Sequence, residues 1–449
     1  MPAIQIKRGL NVPLPGELES HDIVPAPQAE RVALLPGESP GIKVQMLVQE
    51  GDRVQLGQPL YCDRRDPAAV FGAPAAGMVE AVHRGHRRAV LSVVIRIDDA
   101  GGQVEVPSLR ADASRDAVVE ALLTSGLWPC LRQRPFDRVA VSDETPRSLF
   151  VHAMDTQPLA PSPQTMLAGR EAQFRAGLEL LAKLPEGKTF VCTRDGEDWS
   201  GWLAGGAEQR GFRGPHPAGN VGVHIHHLDP VGPGRTVWHV GYQDVADIGE
   251  ALTTGRIPVM RRVAVTGPAA RDRRIAETRR GAETTVFASH VPQGEQVRVV
   301  SGSLLAGHTT QPGSETGFLA RYADQLTVVD DDPQRELLGW SMPIGRRWSF
   351  SNTYLAKFLR PRSLKFDTDV NGSLRAIVPS GAYEKVMPMD IMPTQLVKAL
   401  VSDDLEGAEK LGVLELAEED LALVQYVCPS KIAITDSLRA MLNRIEKEG

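Results

Sequence analysis

VQEGDRVQLGQPLY at residues 48–61 and APAAGMVEAVHRG at residues 73–85 decide how the first hundred residues fold. Ahead of the first stretch, Ile42, Val44, Met46 and Val48 occupy every second position and so share one face of a strand. Glu50-Gly51-Asp52 supplies a turn, and residues 54–61 form a second strand broken at Gly57. The pattern then returns as a strand over 78–82, a turn over 83–88 and a strand over 90–97. Two hairpins of similar design predict a small closed β sandwich. Residues 1–40, rich in Pro and Gly, read as an extended arm leading into it.

Beyond the sandwich the periodicity changes. Residues 115–125 have helical spacing and stop at Gly126. Strands are predicted over 148–153, 189–192, 223–228 and 236–240, and helices over 166–184 and 243–252, the latter closed by Gly255. That alternation predicts an α/β layer with a largely parallel sheet. Residues 261–330 carry short β runs at 263–265, 284–287 and 297–300, separated by Gly and Pro, and read as a small β-rich module. Residues 381–449 turn helical and acidic and end in an amphipathic helix over 437–447.

A chain of 449 residues is too long for one simple core, so two to four domains are expected. Its 42% apolar and 24% charged residues are ordinary for a globular protein. A net charge of −6 with 5% aromatic residues provides neither the basic face nor the stacking platform that nucleic acid requires. No stretch approaches the ~18 apolar residues that cross a bilayer, and the N-terminus has no apolar export segment. The chain is therefore expected in the cytoplasm, with any membrane link running through another protein. Cys62, Cys130, Cys192 and Cys428 lie far apart without a CxxC, which excludes a zinc ribbon or a local iron–sulfur motif on spacing.

The short motifs do not specify a catalytic site. Gly187-Lys188-Thr189 ends like a phosphate loop, but the earlier glycine would fall at Ala182, and the triplet runs from helix to strand, the wrong order. Gly232-Pro233-Gly234 lacks the third glycine of a dinucleotide fingerprint. His224-Ile225-His226-His227 is the best metal candidate. On a strand, His224 and His226 would share a face, with His216 near in sequence, although no carboxylate sits at ligand spacing. His152 and Asp155 stand at the end of a predicted strand, where α/β sheets bind ligands; Asp155 also reads as a loop cap.

Residues 48–61 and 73–85 resemble the barrel-sandwich of lipoyl and biotinyl carriers. A carrier bears its cofactor on a lysine of an exposed hairpin. Here residues 62–67 read Cys-Asp-Arg-Arg-Asp-Pro, and arginine cannot form that amide. The module is thus read as a scaffold. VAVTGPAARDRRIAETRRG (263–281) and RVVSGSLLAG (298–307) resemble a soluble-ligand-binding β-grasp module. Longer stretches carry an end-to-end resemblance: IKRGLNVPL (6–14), SGLWPCLRQRPF (125–136), FVHAMDTQPLAPSP (150–163), GPHPAGNVGVHIHHLDPVG (214–232), VPSGAYEKVMPMDIMPTQLVKALVSDD (378–404) and LGVLELAEEDLALVQYVCPSK (411–431). Together they resemble the A-subunit family of Na⁺-translocating NADH:quinone oxidoreductases (Na⁺-NQR).

The resemblance implies an α/β multidomain chain: an arm and barrel-sandwich over 1–105, a Rossmann-like α/β domain over 106–258, a β-grasp module with connecting segment over 259–380, and a helical domain over 381–449. It implies a peripheral subunit on the cytoplasmic side of the bacterial inner membrane. That subunit would dock on the membrane-embedded B subunit, in a complex that couples NADH oxidation and ubiquinone reduction to Na⁺ export. NADH, FAD, FMN, riboflavin and Fe–S centres are expected on other subunits, with none bound by this chain. Related flavin-binding subunits hold flavin phosphate on a glycine-rich loop; the matching residues 125–136 retain only Gly126. A related cysteine pattern ending at Cys428-Pro429 would place its other ligands at Glu418, Leu421 and Val424, none of them a thiolate.

A vacated crevice lined by Trp128 and Phe136 and rimmed by Arg132 and Arg134 is the candidate site for a ubiquinone head group. Its aromatic rings would stack on the quinone and its guanidinium groups would bond the carbonyls. The competing reading packs the aromatic residues into a collapsed crevice. The alternative function is a free-standing soluble flavin- or NADH-dependent oxidoreductase.

Overall fold

A computed structural model describes residues 2–292, 296–331, 348–351, 364 and 366–448. The predicted sandwich forms. Strands Arg31–Leu34, Val90–Ile97, Gly77–Arg84 and Arg53–Val54 lie in that order in one sheet, and Val44–Met46, Pro59–Asp63 and Asp66–Gly72 make the other. Val32, Leu60, Phe71, Val79, Val93 and Ile95 fill the space between them, and the Tyr61 and Phe71 rings stack at 4.6 Å. Gly57 breaks the second strand with φ +80°, a conformation that suits glycine.

The hairpin tip that a carrier would leave free is pinned on two sides. Asp66 accepts from the Ser142 N–H at 2.8 Å and from its hydroxyl at 2.7 Å. Arg65 pairs with Glu446 of the C-terminal helix at 2.9 Å, and Arg138 pairs with the same carboxylate.

The α/β layer is a seven-stranded sheet in the order Ile4–Gln5, Glu208–Arg213, Thr189–Arg194, Leu149–Ala153, Val237–Gly241, Arg132–Arg134, Arg138–Val139. The first five strands are parallel; the last two run antiparallel. Side chains alternate across each strand. Leu149, Val151 and Val191 face one core with the helices Arg115–Thr124, Glu171–Leu181 and Tyr242–Thr254. Phe150, Phe190 and Phe212 face the other, shared with the helix Val221–Leu228 and the C-terminal unit. The helix expected over 166–184 is split, because Gly169 turns at φ +76° between Pro163–Met166 and Glu171–Leu181.

Counting the sandwich as one unit, the third sheet has six strands and runs His308–Thr310, Val297–Ser301, Gln325–Asp330, Met260–Thr266, Ile275–Arg279, Ile23–Pro25. Residues 284–287, expected as a strand, belong instead to the 3₁₀ turn Thr284–His290. Residues 332–347 and 352–363 of the expected connecting segment lie outside the described residues. The N-terminal arm is sewn through the molecule: Ile4–Gln5 joins the parallel sheet, Ile23–Pro25 the third sheet, and Arg31–Leu34 the sandwich. The C-terminal region is helical as expected, with Pro393–Val401, Leu405–Lys410, Glu418–Tyr426 and Ile434–Glu448. Leu438, Met441, Leu442 and Ile445 form the buried stripe of the last helix.

The helices Glu171–Leu181 and Tyr242–Thr254 cross backbone to backbone. A Cβ at Gly249 would lie 1.9 Å from the Gln173 oxygen, and one at Gly177 would lie 1.9 Å from the Val245 oxygen. Neither contact can be relieved by a side-chain rotation. Gly249→Ala is therefore expected to cost about 1–3 kcal/mol, the range for overpacking, measured as a lower urea midpoint with an unchanged m-value.

Candidate functional site

The segment 125–136 follows the helix Arg115–Thr124, turns through the 3₁₀ element Trp128–Cys130 and enters the sheet at Arg132–Arg134. Trp128 is completely buried, edge-on to Trp238 at 5.4 Å, and its indole N–H donates to the Ala140 oxygen at 2.7 Å. Arg132 pairs with Asp137 at 2.5 Å and lies 4.9 Å from the centroid of the Tyr322 ring. Arg134 is also fully buried. It reaches Asp420 at 2.9 Å, Glu419 at 3.1 Å, Asp137 at 3.3 Å and the Glu415 carbonyl at 3.2 Å. Phe136 packs on the other core, and its carbonyl accepts from Arg439 at 2.8 Å.

The four residues expected to line a quinone crevice therefore share no opening. Trp128 lies on one side of the sheet and Phe136 on the other, Arg132 turns to the third sheet's domain, and Arg134 is consumed by the helix Glu418–Tyr426. Their chemistry is that of an ion cluster. Burial alone would raise Asp137, but Arg132 and Arg134 hold its carboxyl well below the usual range. Burial pushes Asp420 up, with the Asp137 charge adding to it, and takes Glu419 to about 8, with the Asp420 charge adding to it. Burial also lowers His239 to about 4, and the neutral ring donates to Asp137 at 2.9 Å.

The histidine cluster is corrected in its secondary structure. Residues 223–228 lie in the helix Val221–Leu228, not a strand, so His224 and His226 point apart. His224 is buried and bonds the Ala218 carbonyl at 3.0 Å. His226 meets Glu415 at 2.7 Å and accepts from the Asp390 N–H at 3.0 Å. His227 bonds the Val223 carbonyl at 2.9 Å, and His216 bonds Thr156 at 3.2 Å. Among the described residues no three His, Cys, Asp or Glu side chains form a metal-holding group.

His152 bonds the Gly219 carbonyl at 2.6 Å, and Asp155 caps its loop by accepting from the Gln157 N–H at 2.7 Å. The nearby ends of the central strands are covered by the third sheet's domain. Gln325 donates to the Pro158 carbonyl at 3.0 Å, and Asp324 accepts from Gln243 and Arg261 at 2.8 and 2.7 Å. Lys188 is engaged by Glu208 at 2.8 Å. In the cysteine-like pattern, Glu418 pairs with Arg439 at 2.6 Å, Leu421 and Val424 fill the core, and Cys428 is buried 3.0 Å from the Tyr383 hydroxyl.

Open space lies elsewhere. A cavity of about 230 Å³ separates the sandwich from the edge of the parallel sheet, walled by Ile42, Phe71 and Val139 and edged by Asp63, Arg138 and Glu144. The Arg138 Nε–H is shut off from solvent without an acceptor, and burial raises Glu144. A second cavity, of about 30 Å³, lies between Glu38, Arg280 and Arg321. Neither Arg138 nor Glu144 stands in a motif, so sequence reasoning had no signal for them.

The sequence matches three family models. The NqrA N-terminal barrel-sandwich hybrid domain matches over residues 4–98, the NqrA second alpha/beta domain over 113–257 and the NQRA C-terminal domain over 262–311. The A subunit of the Na⁺-translocating NADH-quinone reductase of Saccharophagus degradans is 44% identical over 452 residues, spanning 99% of this chain and 100% of that protein. The chain belongs to this NqrA family. The Alcanivorax borkumensis member is 43% identical over 450 residues, with the same coverage of both chains. A solved structure of an NAD⁺-reducing [NiFe]-hydrogenase in its air-oxidised state is similar at a TM-score of 0.41 and 14% identity, over 73% of this chain and 60% of that one.

As an NqrA, the chain is part of a Na⁺-translocating NADH-quinone reductase, an oxidoreductase complex. Its architecture is mixed α/β and multidomain, opening with the barrel-sandwich. Among the described residues no helix is long and apolar enough to cross a membrane.

Two outcomes follow from the ion cluster. Arg134→Met leaves buried carboxylates without their cation and is expected to cost roughly 3–5 kcal/mol in denaturant unfolding. His239 has a folded pKa of about 4 against an ordinary 6.5. The unfolded chain therefore binds the proton between those values, and stability rises with pH there. The advantage of the wild type over His239→Gln should grow from pH 4 to pH 6.5 and level off above it, read from urea midpoints at each pH.

Proposed function

We propose that this chain is a peripheral subunit on the cytoplasmic side of the bacterial inner membrane, docked on the membrane-embedded B subunit. The complex couples NADH oxidation and ubiquinone reduction to Na⁺ export. The chain serves it as a scaffold, without an NADH, flavin or iron–sulfur site of its own. The observation that carries the reading is the 44% identity running over the whole of both chains. The scaffold role is supported by the use of residues 125–136 as packing and ion pairs. The four parallel strands within 106–258 occur in space as third, second, first, fourth in chain order, which supports a Rossmann-like domain there. The mixed sheet over Met260–Asp330 is the candidate β-grasp module of 259–380.

Quinone handling moves with the geometry, from Trp128, Arg132, Arg134 and Phe136 to the 230 Å³ cavity next to them. Its apolar walls suit a quinone ring. The Arg138 guanidinium lines the space as a donor for one quinone carbonyl, and the Glu144 carboxyl, raised by burial, lines the same space. Removing one hydrogen bond from a charged donor weakens binding about tenfold. Calorimetric titration with a short-chain ubiquinone should therefore give a Kd about tenfold higher for Arg138→Met. An unchanged Kd in a folded variant would remove this cavity from the account, and loss of co-purification with the B subunit would be the mark of a docking defect instead.

A further inference from the structure

The sandwich carries a basic finger that its own packing does not require. Strands Gly77–Arg84 and Val90–Ile97 pair out to Arg84 opposite Val90, but their neighbours stop far sooner. Arg31–Leu34 pairs only with residues 93–96, and Arg53–Val54 only with Gly77 and Met78. Residues 83–92 thus continue past the sheet as a two-stranded ribbon. The Gly85 N–H donating to the Ala89 carbonyl at 2.8 Å closes its end.

The tip reads Arg84-Gly85-His86-Arg87-Arg88, and its Arg and His side chains are all exposed. Among the described residues Arg84 bonds only the Arg88 carbonyl, at 3.3 Å. Neither Arg87 nor Arg88 has a carboxylate within ion-pair distance among the described residues. Two acids meet the ribbon at its base: Glu50 accepts from the Val82 N–H at 2.8 Å and Glu315 lies 3.7 Å from His83. Arg87 and Arg88 also hold left-handed backbone, φ 53° and 62°. A turn selected for folding alone would carry Gly or Asn there, since the left-handed region is unfavourable for a long side chain. The strain and the unneutralised charge fall on the same two residues, in a chain whose net charge is −6.

We propose that this ribbon tip contacts the anionic phospholipid headgroups of the membrane surface, through Arg84, Arg87 and Arg88. The inference rests on the reading of the chain as a peripheral membrane-complex subunit and adds the surface that faces the lipid. Guanidinium groups with no carboxylate partner among the described residues lose little on meeting phosphate. Each basic residue near an anionic leaflet strengthens binding about fivefold, so three give a partition difference on the order of a hundredfold.

The full chain is sedimented with phosphatidylglycerol vesicles and with phosphatidylcholine vesicles at low salt. Binding to phosphatidylglycerol alone, abolished by high salt and weakened on the order of a hundredfold in R84Q/R87Q/R88Q, is the expected result. An R87N/R88G variant, matched to the turn, should melt no lower than the wild type yet bind these vesicles more weakly. A wild type that ignores phosphatidylglycerol, or a triple variant that binds it equally well, overturns the proposal. So does a triple variant that keeps vesicle binding but loses co-purification with the membrane part, which assigns the tip to an acidic protein surface. If the wild type itself fails to co-purify with the membrane part, the subunit reading fails, whatever the vesicles show.

Discussion

The Arg134 guanidinium holds the architecture together. It leaves the antiparallel edge of the parallel sheet, is cut off from water, and is answered by Asp137 on its own loop and by Glu419 and Asp420 at the start of the helix Glu418–Tyr426. A buried charge without partners is prohibitively costly, so the cation and its acids must arrive together. The sheet and the C-terminal unit therefore cannot separate without exposing charge built for the dry interior. Asp420 has a further neighbour in Gly222, where a Cβ would fall 2.4 Å from its oxygens. The helix Val221–Leu228 is thereby tied into the same junction.

The same device recurs wherever two units meet. Glu446 of the last helix clamps Arg65 of the sandwich tip and Arg138 of the sheet edge. Arg261 joins Asp244 of the α/β helix to Asp324 of the third domain. These contacts occupy the hairpin tip of the sandwich, the loop after the first helix of the α/β layer, and the ends of its central strands. Rigid junctions suit a protein that has to hold fixed positions within a larger assembly. The residual space lies beside the junctions, in the cavity between the sandwich and Arg138.

Local pattern was legible where a turn or a stopping glycine bounds the element. The strand expected over 90–97 is Val90–Ile97, the helix expected over 115–125 is Arg115–Thr124, and Gly255 closes its helix in left-handed conformation. The reading failed in a buried helix of only two turns. In the helix Val221–Leu228, Val221, Val223 and Ile225 imitate strand alternation because the intervening Gly222 and His224 are buried as well. The arm over 1–40 read as extended, with no strand assigned, because its strands are only two to four residues long and borrow every partner from elsewhere. The candidate site was least legible of all. Arg134 and Asp420 stand 286 residues apart, and no local pattern foretells that Arg134 belongs to a helix cap rather than a ligand.

Native-state hydrogen exchange tests the central claim that the junctions make sheet and C-terminal unit one cooperative body. The amides of the helix Glu418–Tyr426 and of the strand Leu149–Ala153 should open with the same free energy and the same denaturant dependence. A helix that exchanges at much lower free energy than the strand would mean that the Arg134 cluster does not couple them, and the account of this chain as a rigid scaffold would be wrong.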